Sequence, residues 1–258
     1  MEASQGIALS QSVSENDKRK RIRNYFRKLK IKWPILLIIF GFIFVQSSSI
    51  VGMGVSFLMI GGAWLFIEIK RRMDAPGDLT IDSWLLDDIE NLKKRSLQRL
   101  NIEESQLIRD SVVIRGPILW SVYGILNKEL TWKKGKDKYI RFSLNAITII
   151  HLTEHKLSSY QCDYNFMRGV PINERDDEFY YRDVVAVSTR DDSTNYTLPN
   201  GFIMKQAQFF KLAVAGGDSI EVVVNSSDLV KFTGGAMLDT GLDDALKALR
   251  KVLSEKKI

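Results

Sequence analysis

A long apolar stretch near the N-terminus is the feature that most constrains this chain. Residues 33–69 carry no charge until Glu68, and only Gln46 and the three serines after it interrupt them. A helix rises about 1.5 Å per residue, so about 20 apolar residues cross the roughly 30 Å hydrocarbon core of a bilayer. The stretch is nearly twice that length. It therefore predicts a two-helix transmembrane hairpin, with spans at residues 33–47 and 50–68.

Positive charge flanks the stretch on both sides. Residues 18–32 contain nine Lys or Arg and no acid, and residues 70–72 add three more. Lys and Arg prefer the cytoplasmic side of a membrane, and a hairpin puts both flanks there, whereas a single span would separate them. The predicted membrane-interface residues are Lys18, Arg19, Lys20, Arg21, Arg23, Arg27, Lys28, Lys30, Lys32, Trp33, Trp64, Lys70, Arg71 and Arg72.

The uneven distribution of charge bears on the partners. Residues 1–72 hold twelve of the 37 basic and four of the 31 acidic residues, which leaves 25 basic and 27 acidic residues in the rest of the chain. A nucleic-acid binder would carry its positive charge on the folded face that contacts phosphate. The pattern favours the anionic lipids of the inner leaflet and predicts no nucleic-acid partner.

The segment before the apolar stretch divides into two parts. Residues 1–17 are rich in Ser and Gln and are predicted to be disordered. From Lys18 onward, Ile22, Tyr25 and Phe26 share a helical face, which predicts a basic amphipathic helix on the inner leaflet. Thirty-two residues, most of them polar, precede the apolar stretch, which is not the arrangement of a secretory signal peptide. A buried hairpin of a soluble protein would keep a polar stripe, which this stretch lacks.

Small residues lie along the second predicted span. They allow transmembrane helices to approach closely, so the sequence leaves a homo-oligomer open. No charged residue lies in the middle of either span, so the sequence gives no sign of an ion path. The small residues are Gly52, Gly54, Ser56, Gly61 and Gly62.

Residues 70–104 form a linker and an amphipathic helix. Pro76 and Gly77 break the chain after the membrane, and Ile81, Leu85 and Ile89 then begin an apolar stripe at helical spacing. This stripe needs a partner, which is either the following domain or a second copy of the helix.

From about residue 107 the apolar period changes from 3.6 to 2, which predicts strands. Gly216 and Gly217 predict a tight turn between the last two of them, because glycine tolerates positive φ. The polar segments KKGKDK, VPINERDD and RDDSTNYTLPNG are expected to be loops. The predicted strands are SVVIRGPILW, YIRFSLNAITIIHL, KLSSYQCDYNF, EFYYRDVVAVST, GFIMKQAQFFKLAVA and SIEVVVN.

The chain ends with DTGLDDALKALRKVLSEKK, which predicts a C-terminal helix. Acids lie in its first turn and lysines in its last, which complements the helix dipole. Leu242, Leu246, Leu249 and Leu253 form one apolar face. Antiparallel strands followed by one helix give an α+β fold.

The phrases EFYYRDVVAVST and FFKLAVAGGDSIEVVV, together with the terminal helix, resemble the pleckstrin-homology-like fold, including its GRAM and bacterial membrane-associated relatives. The resemblance covers residues 105–258. It implies an antiparallel β-barrel or sandwich with a C-terminal helix, and a binding or scaffolding module. The segment KKGKDKYIRF is the only basic loop that leads into a strand of this domain.

No pattern of residues predicts catalysis, and no cofactor is expected. His151 and His155 would lie about 13 Å apart in a strand, which is too far for a shared metal ion. The acidic clusters at 176–178 and 191–192 fall in predicted loops and are interpreted as solvated charge. The paired glycines lack the lysine of a phosphate-binding loop. The single cysteine, Cys162, suits a reducing compartment.

These observations predict a non-enzymatic integral membrane protein of a bacterial inner membrane. It is expected to be multi-pass with both termini in the cytoplasm, and its PH-like domain is expected to bind a protein partner or lipid head groups. The alternative is an oligomerising two-span effector, or a channel-like subunit, that the cytosolic domain controls.

Overall fold

The computed structural model describes residues 14–47, 49–198 and 201–256. Of the disorder predicted for residues 1–17, the part at 1–13 lies outside the described residues, and the prediction is wrong for residues 15–17, which are helical. The fold is α+β, as the sequence predicts. The chain divides after Gly77 into two compact units, which are taken in turn.

The described residues of the first unit form three helices: α1 at Glu15–Phe26, α2 at Lys32–Val45 and α3 at Val51–Met73. Helix α1 begins before Lys18, because the side chain of Ser14 accepts a hydrogen bond from the backbone N–H of Asp17 and caps the helix. The apolar face of α1 is buried in the protein, with Ile22 at 0% and Tyr25 at 1% exposure. This face is therefore not available to the inner leaflet, contrary to expectation.

Only one helix in the described ranges is long and apolar enough to cross a membrane. That helix is α3, with 23 residues. Helix α2 has 14 residues, about 21 Å at 1.5 Å per residue, which is shorter than the hydrocarbon core. The prediction of two spans at 33–47 and 50–68 is thus supported for α3 alone, because α2 ends at Val45, before the serines.

Helices α2 and α3 nevertheless pack against each other as an antiparallel pair, and glycines permit the close approach. A Cβ atom added at Gly54 would lie 2.6 Å from the backbone N of Val45, and one at Gly61 would lie 2.8 Å from Cγ1 of Ile38. Gly52, by contrast, has no atom within 4 Å of such a Cβ. Gly54 and Gly61 therefore lie in the contact between the two helices, whereas Gly52 does not.

A buried carboxylate near the end of α3 contacts the segment that precedes α2. Glu68 is 1% exposed, and its Oε1 accepts a hydrogen bond from the backbone N–H of Lys30 at 3.1 Å. Its Oε2 lies 3.6 Å from a guanidinium nitrogen of Arg27 and of Arg71. The segment before α2 and the end of α3 are thus side by side.

Gly54→Ala should weaken the α2–α3 contact by about 1–3 kcal/mol, because the added methyl group meets backbone atoms that cannot move aside. The matched change Gly52→Ala should have little effect. The measurement is an SDS titration of the detergent-solubilised chain, followed by energy transfer between labels at Lys28→Cys and Arg72→Cys. Equal midpoints for the two glycine variants would contradict the packing.

The second unit contains most of the chain. Its helices and strands are α4 at Asp78–Arg99, β1 at Val112–Pro117, β2 at Trp132–Lys134, β3 at Tyr139–Phe142, β4 at Leu144–Leu152, β5 at Lys156–Asn165, β6 at Val170–Tyr180, β7 at Val184–Thr197, β8 at Ile203–Val214, β9 at Ser219–Asn225, α5 at Ser227–Thr233, β10 at Ala236–Met237 and α6 at Leu242–Lys256.

These strands form three sheets, and none of the described sheets closes into a barrel. The first has the order β1-β4-β5-β6 and the second β7-β8-β9, both antiparallel. A small third sheet has the order β10-β3-β2. Strands β1 and β9 approach closely at Gly116, where a Cβ atom would lie 1.8 Å from the carbonyl oxygen of Val223. The strands make no ladder there, so the predicted barrel remains open.

The main core lies between the first two sheets and α6. Ile150 of β4, Phe210 of β8 and Leu249 of α6 are all fully buried in it. Helix α6 has Leu246 and Leu249 buried and Leu242 and Leu253 partly buried, so the predicted apolar face is the one that packs. The glycine turn between β8 and β9 is also confirmed, with Gly217 at φ +90°.

The apolar stripe of α4 finds its partner in the following domain. Tyr164 Oη of β5 donates to Asp88 Oδ2 at 2.8 Å, and Ser96 Oγ lies 2.7 Å from Nε2 of His151 in β4. Ile81 and Ile89 of the stripe are buried. The helix thus covers the face of the first sheet that is opposite the main core, and β4 and β5 are buried on both faces.

Two segments expected to be loops are strands. VPINERDD belongs to β6 and RDDSTNYT to β7. Charged side chains are stable there because β6 and β7 are edge strands and because ion pairs neutralise them. Asp176 pairs with Arg99 and Glu178 pairs with Lys156. The acidic cluster at 176–178 is therefore part of the sheet and not solvated loop charge.

The predicted strand YIRFSLNAITIIHL is also divided in two. Ser143 separates β3 from β4, and its Oγ accepts a hydrogen bond from the backbone N–H of Thr131 while donating to backbone carbonyl oxygen. The side chain thus occupies backbone groups that would otherwise continue a ladder. As a result, the two halves lie in different sheets.

Candidate functional site

An open cleft of about 310 Å³ lies where the first two sheets diverge. One wall comes from β4, β5 and β6, the opposite wall comes from β8 and β9, and the segment after β1 closes one side. Its lining combines apolar groups with a few polar ones, which is the usual make-up of a small-molecule site. The lining includes Ile118, Trp120, Val122, Ala146, Thr148, Gln161, Asp163, Asn173, Arg175, Tyr196, Phe209, Glu221 and Val223.

A stacked aromatic pair forms one side of the cleft. The rings of Trp120 and Tyr196 are nearly parallel, with centroids 4.3 Å apart and an interplanar angle of 17°. Trp120 follows β1 and Tyr196 lies near the end of β7, so the pair joins segments that are far apart in sequence. Stacking of this kind contributes about 0.5–1.5 kcal/mol beyond the burial of area.

An irregularity in β6 places a polar group in the cleft. The register between β5 and β6 shifts between Gln161 and Asp163, and Asn173 adopts φ +52° beside this shift. Its Nδ2 donates to Asp163 Oδ2 at 2.7 Å and to the carbonyl oxygen of Tyr123 at 3.3 Å. Such bulges re-aim side chains and are frequent near binding sites.

The polar groups of the cleft have different charge states. Burial raises the pKa of Asp163, while the hydrogen bond from Asn173 partly opposes that rise. Arg175 is paired with Asp177, with Nε 2.9 Å from Oδ2, so its charge is already matched. The charge of Glu221 is matched as well, because its Oε2 lies 3.4 Å from nitrogens of Arg190 and Lys211.

Cys162 lies in the wall of the cleft but is unsuited to nucleophilic chemistry. It is buried, and burial raises its pKa to about 12. The thiol therefore stays protonated at neutral pH, whereas the thiolate is the reactive form.

His151 forms a buried polar contact away from the cleft. The residue is fully buried, with Ser96 Oγ 2.7 Å from Nε2 and Ser111 Oγ 2.7 Å from Nδ1. Ser96 Oγ donates to the carbonyl oxygen of Lys93, so it accepts from Nε2–H, and Nδ1 accepts from Ser111. Each polar atom of the neutral ring thus has a partner, and no carboxylate orients the ring as in a catalytic triad.

The predicted membrane-interface residues lie in the first unit and only some of them come together. Arg27 and Arg71 meet at Glu68, and Arg21 Nε donates to the carbonyl oxygen of Asp74 at 3.2 Å. Arg19 is buried and pairs with Glu15 within α1. Trp33, 66% exposed, and Trp64, 37% exposed, lie on α2 and α3. The exposed members of the set are Lys20, Arg23, Arg27, Lys28, Lys30, Lys32, Trp33, Trp64, Lys70 and Arg72, while Lys18, Arg21 and Arg71 are partly buried.

Within the described ranges, no group of three His, Cys, Asp or Glu side chains could hold a metal ion. The cleft itself was not predicted from the sequence. Trp120 ended a predicted strand and Tyr196 stood in a predicted loop, and no local pattern brings the two together.

Comparison of the chain with family models, with curated proteins and with solved structures found no match.

His151 makes the stability of the second unit pH-dependent. Burial lowers its pKa to about 4 from an unfolded value of about 6.5, so the folded state favours the neutral ring. The contribution is complete above about pH 6.5 and is lost as the pH falls towards about 4, with a total of about 3 kcal/mol.

The measurement is urea unfolding of the solubilised chain across this pH range, followed by far-UV circular dichroism. His151→Gln should remove most of the pH dependence, since glutamine does not titrate. His155→Gln, which changes an exposed residue, should leave it intact. Parallel pH profiles for all three proteins would contradict the assignment.

Proposed function

We propose that this protein is a membrane-anchored, non-enzymatic binding protein. Helix α3 crosses the bilayer with α2 packed along it, and the second unit binds its ligand in the cytosol through the cleft. The observation that carries the proposal is the presence, in one chain, of a 23-residue helix whose residues 51–67 carry no charge and of a folded domain with an open, aromatic-lined cleft.

The surface of the helix pair supports membrane insertion. Ile60 and Phe66 of α3 are 56% and 68% exposed, and Phe42 of α2 is 62% exposed. Large apolar side chains exposed in a continuous band are unfavourable in water and favourable in lipid. The two basic flanks meet at Glu68, which supports a hairpin with both ends on the cytoplasmic side. Helix α2 is too short to cross the hydrocarbon core by itself, so in this hairpin the polar residues that connect α2 to α3 lie at the far interface.

The composition of the cleft supports a binding role over catalysis. Its thiol is protonated, and both histidines lie outside its lining. An apolar floor with an aromatic side and a partly buried carboxylate suits recognition of a small molecule or of a partner's side chain. A PH-like module would be consistent with the order of elements, in which a four-stranded and a three-stranded antiparallel sheet precede a helix that packs in the core between them.

The first test concerns the membrane. Met59→Lys combined with Ile60→Lys places two charges at exposed positions near the middle of α3, at a cost of about 2.5–3.5 kcal/mol each for insertion. The wild-type chain should remain in the membrane pellet after alkaline carbonate extraction, and the variant should be released. Tyr123→Lys with Leu126→Lys, also at exposed positions, is the control and should stay in the pellet.

Release of the wild-type chain by carbonate would reject the membrane anchor.

The same cells distinguish the alternative function, an oligomerising effector. Gly52 and Gly62 remain uncovered after α2 has packed, and this observation favours a contact between copies. Growth arrest with membrane-dye uptake on expression of the wild-type chain, lost in Gly52→Leu with Gly62→Leu, would replace the simple anchor by the effector.

The second test concerns the cleft. Native mass spectrometry of the detergent-purified chain, after incubation with a cytosolic metabolite extract, should detect a bound small molecule. Trp120→Ala removes half of the stacked pair and should reduce the bound fraction about tenfold, equivalent to about 1.4 kcal/mol. Tyr123→Ala, on the same segment but 91% exposed, should retain it. Equal binding by the two variants would place the ligand elsewhere.

A further inference from the structure

A basic turn lies next to the N-terminal end of α4, which is where the second unit begins. Lys134 ends β2, and Lys136 and Lys138 follow in the turn to β3. All three are exposed, and Lys134 Nζ donates to the carbonyl oxygen of Gly234 at 3.1 Å. The backbone N–H of Lys136 donates to Asp78 Oδ2 at 2.8 Å, and Asp78 is the first residue of α4. This hydrogen bond holds the turn at the N-terminal end of α4.

Three acids, Asp78, Asp82 and Asp137, lie close to the turn. They accept hydrogen bonds, and Arg141 offsets one of their charges, so the three lysines leave the surface with a net positive charge. Asp137 and Asp82 both accept hydrogen bonds from the guanidinium group of Arg141, which is 3% exposed. Hydrogen bonding by Arg141 lowers the pKa of Asp137 to about 2. In the part of the chain that the structure describes, neither Lys136 nor Lys138 forms an ion pair.

Exposed apolar groups accompany the lysines at this end. Leu79, in the first turn of α4, is 81% exposed, and Tyr139, which directly follows the turn, is 42% exposed. Lysine stems combined with an aromatic and an aliphatic side chain are typical of protein surfaces in contact with lipid head groups.

Chain length limits how far this surface can lie from the end of α3. Helix α3 ends at Met73 and α4 begins at Asp78. Even a fully extended chain covers only about 17 Å over these five steps. The limit is independent of the orientation of the second unit, because it follows from covalent geometry.

We propose that the turn, through Lys134, Lys136 and Lys138, binds the anionic lipid head groups of the leaflet at which α3 ends. The inference rests on the proposed function, in which α3 crosses the membrane. A lysine near an anionic surface contributes about 1 kcal/mol, so three lysines would bind weakly by themselves. The covalent tether makes such weak attraction sufficient, since it keeps the turn near the surface at a high effective concentration.

The opposite end of the unit supplies a matched control. Ser96 lies 18 residues after Asp78 on α4, about 27 Å along the helix, and it contacts His151 near the end of β4. Tyr180 pairs with Lys156 just beyond the β4–β5 turn and is 56% exposed. Tyr139 and Tyr180 are thus two exposed tyrosines at opposite ends of the unit.

The experiment replaces Tyr139 or Tyr180 by the photo-crosslinker benzoylphenylalanine in the full chain, reconstituted in nanodiscs of phosphatidylcholine with or without phosphatidylglycerol. Position 139 should cross-link to lipid about tenfold more than position 180 when phosphatidylglycerol is present. The excess should fall as NaCl is raised from about 0.1 M to about 1 M, because salt screens exposed charges. Lys136→Gln with Lys138→Gln should abolish it, and Lys136→Arg with Lys138→Arg should preserve it.

Equal cross-linking at positions 139 and 180, or cross-linking at 139 that is independent of phosphatidylglycerol, would overturn the lipid contact while leaving the membrane anchor intact. Failure of the wild-type chain to enter nanodiscs at all would instead reject the anchor on which the inference rests. The two failures are therefore distinguishable.

Discussion

The docking of α4 onto the first sheet is the constraint on which the second unit depends. Strands β4 and β5 are covered by α4 on one face and by the main core on the other, so almost every side chain in them is buried. Buried polar groups on such strands need partners. Asp88 supplies one for Tyr164, and Ser96 supplies one for His151, across the helix–sheet contact.

The docking of α4 also determines which side chains β6 presents on each of its two faces. Glu174, partnered by Arg95, and Asp176, partnered by Arg99, point towards α4, while Arg175 points into the cleft. A strand alternates its side chains between two faces, so the ion pairs with α4 set which residues reach the cleft. The cleft is open because the sheets approach closely at β1 and β9 and diverge towards β6.

The first unit differs from the second because, in the proposed function, lipid is the solvent for most of its surface. Packing of small residues against backbone, and not burial of apolar area, holds such helices together. Glu68 is the exception, since it is a buried carboxylate at the end of an apolar helix with Arg27, Arg71 and the amide of Lys30 around it. An unpaired carboxylate there would be costly, so the basic segment before α2 has a structural role besides its charge.

Sequence by itself determined the long apolar helix, the amphipathic helices α4 and α6, the α+β class and the turn at Gly217, because each depends on local periodicity or on backbone freedom. It did not determine that α2 stops short of a full span, that VPINERDD forms a strand, or that β3 and β4 separate at Ser143. The two outcomes in the sheets depend on ion pairs and hydrogen bonds between residues that are apart in the chain, such as Arg99 with Asp176 and Ser143 with Thr131. For the same reason the sequence did not predict the cleft, because Trp120 and Tyr196 meet only when the second sheet folds over the segment after β1.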